Sequence, residues 1–251
     1  MNKRFKEMIK RLFDILISLF GLLLLSPILI VFMYLIYRQD KASPFYMAPR
    51  AGKNNTTFKM VKLRSMVSDA DKSGVTSTSN NDIRITPIGQ KIRRYKLDEL
   101  TQLWNVFIGD MSLVGPRPNV KIETDAYTDV EKRLLSVRPG ITDFSSIVFS
   151  DEGDILEKMI DPDLSYNQLI RPWKSRLGLI YIDNQSVFLD LKLVFYTIIA
   201  IFSKQKALDW VVFHMEQIGV DADVVIISKR DRALYPFPPP GASEVFNVKI
   251  R

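Results

Sequence analysis

The chain contains no cysteine and only one histidine, His214, in 251 residues. Disulfides, thiolate nucleophiles and cysteine-ligated metals are therefore excluded, while a reducing compartment is allowed. One imidazole cannot build a histidine triad or a multi-histidine metal centre, so His214 reads as a bystander. Any bound metal should be a hard ion on oxygen ligands, such as Mg²⁺. Acidic charge is also in deficit. Asp and Glu number 28 against 35 Lys and Arg, a net +7, which favours an anionic partner: nucleic acid, anionic lipid or a phosphorylated substrate. Nucleic acid is set aside, since the sequence offers neither a continuous basic helix nor an aromatic stacking platform.

One long apolar run is present. Leu12 to Tyr37 reads LFDILISLFGLLLLSPILIVFMYLIY, polar only at Asp14, Ser18 and Ser26. As a helix it would be about 39 Å long, enough for a bilayer. It is too long for a cleavable signal peptide and no small-residue cleavage site follows it. Lys3, Arg4, Lys6, Lys10 and Arg11 precede it, and Arg38 and Lys41 follow. Positive flanks favour the cytosolic side, so both ends ask for the same face. Pro27 removes one backbone hydrogen bond and kinks the helix, and the Ser26 hydroxyl can satisfy the freed carbonyl. The residues leave two readings open: a kinked spanning helix, or a helix bent at Ser26-Pro27 that enters and leaves by one face.

Further along, FKMVKLRSM (58–66) predicts a strand in which Lys62 and Arg64 share a face about 7 Å apart, a spacing that suits a diphosphate or ordinary surface charge. Residues 69–81 are small and polar and predict a mobile loop. From Ile92 the apolar positions 95, 100, 103, 104 and 107 predict one helix, ended by Gly109. Arg117, held between Pro116 and Pro118, is a surface residue of an extended turn or a preorganised phosphate clamp. Helices are expected over Asp125–Val137, Glu152–Ile160 and Ser165–Arg176, and an amphipathic helix over Ser186–Lys206 that packs on the domain or lies on the membrane. Tyr235-Pro-Phe-Pro-Pro-Pro-Gly241 predicts a stiff polyproline-like contact element.

The stretch KIRRYKLDELTQLWN (91–105) sets Asp98-Glu99 among Arg84, Lys91, Arg93, Arg94 and Lys96. Acids at a first helical turn complement the helix dipole, and this alone explains many such pairs. A cap worth about 1 kcal/mol needs no ring of cations, however. A carboxylate that attacks a phosphate does need them, together with Mg²⁺, because two anions must approach.

In order, LFDIL…SP, FKMVKLRSM, RITPIGQKIRRYKLDELTQLWNV, GDMSLVGPRP and RPGIT resemble the bacterial sugar transferase family, the small monotopic phosphoglycosyl transferases. The resemblance covers about Lys10 to Ile201. It implies transfer of a sugar phosphate from a UDP-sugar to undecaprenyl phosphate, with release of UMP. By the same resemblance Asp98 is the nucleophile and Mg²⁺ ligand, forming a covalent phosphosugar intermediate, and Glu99 assists the second half. Arg93 and Arg117 match phosphate-holding residues, and Ser26-Pro27 matches the kink of a re-entrant membrane helix. After RPGIT the chain departs from the Gly-Leu-Ala-Gln-Val type of continuation and reads Asp143-Phe-Ser-Ser-Ile-Val-Phe-Ser150. The expected fold is an α/β one, a mostly helical small domain with a short β element, anchored by an N-terminal re-entrant membrane helix. Its expected divisions are residues 1–41, the basic flanks and membrane helix; 42–206, the cytosolic transferase domain; and 207–251, an extension with the Pro-rich tail. Expected partners are the UDP-sugar, undecaprenyl phosphate and membrane lipid, at the cytosolic face of a bacterial inner membrane, with self-association and downstream glycosyltransferases also allowed. The competing reading is a catalytically inert membrane module that docks glycan-assembly enzymes.

Overall fold

A computed structural model describes residues 3–70 and 82–246. Most of the stretch expected as a mobile loop, from 71 to 81, thus lies outside the described residues. The chain forms two compact units, one of Met1–Arg50 with Thr57–Ser112, the other of Ala51–Thr56 with Leu113–Arg251. The structure is mostly helical with two small two-stranded sheets.

In the first unit, helix α1 (Lys3–Asp40) keeps Pro27 in its interior. Pro27 has no N–H for the Leu23 carbonyl four residues back. Ser26 Oγ donates to that carbonyl instead, at 2.8 Å. One face of α1 buries Leu29 and Ile36 against Leu63 and Ile92. The other leaves Phe20, Leu23, Leu24, Ile30 and Val31 more than half exposed, a continuous apolar surface long enough for a membrane. Strands β1 (Phe45–Ala51) and β2 (Thr57–Leu63) pair across a connection too short for any but an antiparallel hairpin.

The single helix expected from Ile92 to Gly109 is three. Helix α2 (Pro87–Arg94) starts at Thr86, whose Oγ1 accepts from Gly89 N at 2.9 Å, with Pro87 in the first turn. Lys96 then takes a left-handed backbone (φ 52°), which ends the run and turns the chain into α3 (Leu97–Leu100). Helix α4 (Gln102–Ile108) follows and closes at Gly109 (φ 100°) as the sequence predicts. Periodicity sees apolar spacing across all three helices and not the backbone reversal between them.

In the second unit, β3 (Ser112–Val114, beginning at the boundary residue) pairs with β4 (Gly140–Thr142). The pairing continues into the VGPRP turn, with Gly115 N donating to Thr142 O at 3.0 Å and Gly140 N to Pro116 O at 2.9 Å. A Cβ on Gly140 would fall 2.1 Å from Gly115 N, so only glycine lets the two motifs cross. Helix α5 (Lys121–Asp125) and a 3₁₀ turn (Glu131–Ser136) replace the expected helix 125–137. The break is a capping box: Glu131 N donates to Thr128 Oγ1 and Thr128 N to Glu131 Oε2, both at 3.1 Å.

Helices α6 (Phe144–Val148) and α7 (Glu152–Glu157) precede a continuous helical run of α8 (Pro162–Ser165), a π turn (Tyr166–Ile170) and α9 (Arg171–Asp183). The helix expected over 186–206 is α10 (Val187–Phe202), ended by Ser203, which caps α11 (Lys204–Gln217). Helix α12 (Ala222–Lys229) completes the set. The Pro-rich tail packs on its own unit. Phe237 stacks on buried Trp173 at 4.4 Å between centroids, and Arg176 donates to Pro238 O at 2.9 Å.

Candidate functional site

Asp98 and Glu99 occupy the short α3, immediately after the left-handed Lys96. A non-glycine residue held at positive φ is strained, and such strain recurs where a side chain must be aimed. Two side chains lock α3 and α4 onto the free edge of β2. Thr101 Oγ1 donates to Val61 O at 3.0 Å, and Asn105, one helical turn on, accepts from Val61 N at 2.8 Å and donates to Lys59 O at 2.8 Å. The pair stands in for a missing third strand. It fixes Lys62, the residue after Val61, beside Asp98, three before Thr101. Neither Thr101 nor Asn105 stands out in sequence; the available signal is two polar residues at i, i+4, both of them buried.

Lys62 Nζ lies 3.9 Å from Asp98 Oδ2, with both side chains mostly buried. Arg93 Nε donates to Ser65 Oγ at 3.0 Å and its charge acts on Asp98. Burial pushes the Asp98 carboxyl above the usual carboxylate range; Lys62 pulls against it, Glu99 adds to it and Arg93 pulls it down. The result is a carboxylate with little water around it and cations at hand.

Arg64 does not join this group. Its guanidinium is buried, forked onto Asp40 and bonded to Ser43 O at 2.8 Å, so it fastens the end of α1 to the end of β2. The expected pair of cations on one strand face is corrected on this point: Arg64 lies beyond β2, and Lys62 alone faces the acidic pair. Among the described residues no three carboxylates or histidines converge as a metal cage. Asp98 fits a magnesium ion of the usual enzymatic kind, held by one or two carboxylates with phosphate and water oxygens completing the shell.

Arg117 belongs to the second unit, on the turn fixed by the Gly115–Gly140 crossing. It lines a cleft with a cavity of about 40 Å³, together with Asp143, Arg171 and Lys174. Behind it Arg171 and Glu131 form a fully buried ion pair at 2.9 Å, in which Ser175 also donates to Glu131 at 2.7 Å.

A family model described as bacterial sugar transferase matches residues 5–204. The chain is 36% identical over 205 residues to the UDP-glucose:undecaprenyl-phosphate glucose-1-phosphate transferase of Klebsiella pneumoniae, covering 79% of this chain and 41% of that protein. It is 34% identical over 207 residues to the exopolysaccharide production protein ExoY of Sinorhizobium fredii, covering 76% and 84%. A putative undecaprenyl-phosphate N-acetylgalactosaminyl 1-phosphate transferase of Bacillus subtilis is 44% identical over 119 residues, 47% of this chain and 66% of that one.

Proposed function

The chain belongs to the bacterial sugar transferase family, and on that premise we propose that it transfers a sugar 1-phosphate from a UDP-sugar to undecaprenyl phosphate. The products are undecaprenyl diphosphosugar and UMP, and the reaction is the first membrane step of glycan assembly. The observation that carries this reading is the mostly buried Asp98 beside Lys62, with Arg93 acting on it, on a helix that follows a strained turn. A cap needs none of these, and an inert docking module has no use for them.

The chemistry is two displacements at one phosphorus. An Asp98 carboxylate oxygen attacks the phosphorus bearing the sugar. The bond from that phosphorus to the bridging oxygen breaks, and UMP leaves with the oxygen and its electron pair. An oxygen of the lipid phosphate then attacks the same phosphorus, the aspartyl oxygen–phosphorus bond breaks, and Asp98 regains its carboxylate. Glu99 assists this second half. Lys62 and Arg93 neutralise phosphate charge, and Arg117 on its stiff mount holds phosphate as a fork. Mg²⁺, when bound through Asp98, offsets charge on the diphosphate. Arg64 is left out of this set because its guanidinium is committed to Asp40.

We propose further that α1 is re-entrant and the rest of the chain cytosolic. What supports this is that both ends of α1 are tied within one unit. Arg11 donates to the carbonyls of Val106 and Phe107 at 2.6 and 2.7 Å, and Asp14 accepts from Ser112 at 3.1 Å. At the far end Asp40 is gripped by Arg64.

Incubation with Mg²⁺ and a panel of UDP-sugars, read by intact-protein mass spectrometry, tests the reaction. One UDP-sugar should add a phosphosugar to Asp98 without lipid, and undecaprenyl phosphate should then discharge it. UMP release that needs lipid, with no adduct formed, would replace the two-step route by direct transfer. The relatives from Klebsiella pneumoniae and Bacillus subtilis are named for glucose and N-acetylgalactosamine, so both sugars belong in the panel.

A further inference from the structure

The chain leaving β2 is pinned at Ser65 by the start of α2. Thr86 N donates to Ser65 O at 3.0 Å, and Met66 bridges to Ile85 in the antiparallel sense. A Cβ on Gly89 would fall 1.8 Å from that same Ser65 carbonyl oxygen, so the first turn of α2 lies directly on the Ser65 backbone. Arg93 is one helical turn beyond Gly89 and shares its face. Helical side chains lean toward the N-terminus, which carries the Arg93 stem back over Gly89. There its Nε donates to Ser65 Oγ at 3.0 Å.

The neighbouring arginines of this unit are held differently. Arg64 forks onto Asp40, and Arg84 onto Asp82 with Nε at 3.0 Å and Nη2 at 2.6 Å, so both charges are spent on carboxylates. Arg93 is held by a neutral hydroxyl, and among the described residues its two terminal nitrogens meet no acceptor. A serine thus aims the guanidinium without cancelling its charge, as a carboxylate would. The edge that remains is the Nη1–Nη2 fork, which matches two oxygens of one phosphate. Burial draws Arg93 below its ordinary pKa, and the charge of Asp98 is the strongest influence against that, which puts the fork and the nucleophile in one field.

We propose that Ser65 is a positioning residue of the transferase site, aiming the Arg93 fork at the phosphate that Asp98 attacks. The inference rests on the reading that Arg93 neutralises phosphate charge, and adds what holds it in place. Without the hydroxyl the Arg93 stem regains its rotamers, and the fork meets the phosphate only part of the time.

The test measures UMP release from the reacting UDP-sugar with Mg²⁺ and undecaprenyl phosphate. It compares the full-length parent with Ser65→Ala, Ser65→Thr, Arg93→Ala and the double variant Ser65→Ala with Arg93→Ala. Ser65→Ala should lose roughly tenfold or more in kcat/KM. Its melting temperature should stay close to the parent's, because the side chain is only half-buried. Ser65→Thr keeps the hydroxyl on the same carbon and should retain most of the parent's kcat/KM. The double variant should be no slower than Arg93→Ala, because the serine acts through the arginine. Parental kcat/KM in Ser65→Ala overturns the proposal and leaves the phosphosugar reaction standing. Equal losses in Ser65→Ala and Ser65→Thr also overturn it, since the hydroxyl would not be what matters. A full Ser65→Ala loss recurring on top of Arg93→Ala would assign Ser65 to the packing of α2 on β2 and overturn it too. Parental kcat/KM in Arg93→Ala removes the phosphate role on which the proposal stands, while the chemistry of Asp98 survives. A parent chain that turns over no UDP-sugar overturns the underlying reading, and this proposal with it.

Discussion

At Asp98 burial and neighbouring cations act in opposite directions, and stability reveals which wins. An aspartate whose folded pKa stands above its unfolded value of about 3.8 destabilises the folded chain as pH rises through the folded pKa; below the unfolded value the cost is gone. Asp98→Asn removes that titration. At neutral pH the variant should therefore melt no lower than the parent, and any gain should shrink as pH falls toward 3.8. The adduct and UMP release should both vanish, since an amide is a poor nucleophile. A variant that melts lower at neutral pH but equally at acid pH would mean that Lys62 and Arg93 outweigh burial. The acidic pair could be picked out in sequence because Arg84, Lys91, Arg93, Arg94 and Lys96 all lie shortly before it, whereas Lys62, which the structure sets beside Asp98, comes from a separate strand. Arg64 was misread because its partner Asp40 lies 24 residues back, on an element that spacing alone does not bring near.

Among the elements, the least legible were those whose boundaries depend on one side chain. Lys96 gives no compositional warning of a left-handed backbone. The Thr128–Glu131 box does carry a signal, the T-x-x-E pattern, which the apolar spacing of 125–137 overrode. Helix α11 was likewise readable from buried Leu208, Val211, Val212 and Met215 at i, i+3, i+4 and i+7. Asn105 offers a direct test of how α4 holds β2. In Asn105→Ala, Val61 N–H and Lys59 C=O lose their partners, at about 1–3 kcal/mol for each buried group. A loss of roughly 3 kcal/mol should lower the melting temperature by about 6–12 °C and slow adduct formation. An unchanged melting temperature would show that the β2 edge finds other partners.

The tail is the other element whose role is read from packing. The sequence suggests a contact element, and the contacts it makes are internal: Phe237 and Tyr235 close over Trp173, and the Phe246 ring lies 4.6 Å from the Arg171 guanidinium. Ending the chain at Leu234 uncovers one side of a buried tryptophan and one face of a buried ion pair. Burial of an aromatic side chain is worth about 2–3 kcal/mol. The truncated chain should melt roughly 5–10 °C lower. Equal melting of truncated and full-length chains would return the tail to the role of an outward docking element.

For the whole molecule the question is on which side of the membrane each end of α1 lies. A helix of 38 residues could span a bilayer and still leave several turns over. A spanning helix would carry Arg11 and Asp40 to opposite faces. Yet the carbonyls that hold Arg11 and the guanidinium that holds Asp40 belong to one compact unit of the protein. Crossing would require one of these attachments to be given up, and with Asp40 removed Arg64 would be left as a buried unpaired cation, a loss of several kcal/mol. The sequence makes the test clean, because no native cysteine competes for label. Single cysteines at Lys3 and Lys41 should both resist a membrane-impermeant thiol reagent added to intact cells and react after lysis. Pro27→Ala restores the N–H that the Leu23 carbonyl lacks and removes the ring that disfavours a straight helix there. Straightening should favour crossing, so the cysteine at 41 in that background is the one expected to become reachable from outside. Labelling of either position in the parent chain would instead establish a spanning helix and cost the re-entrant reading its ground.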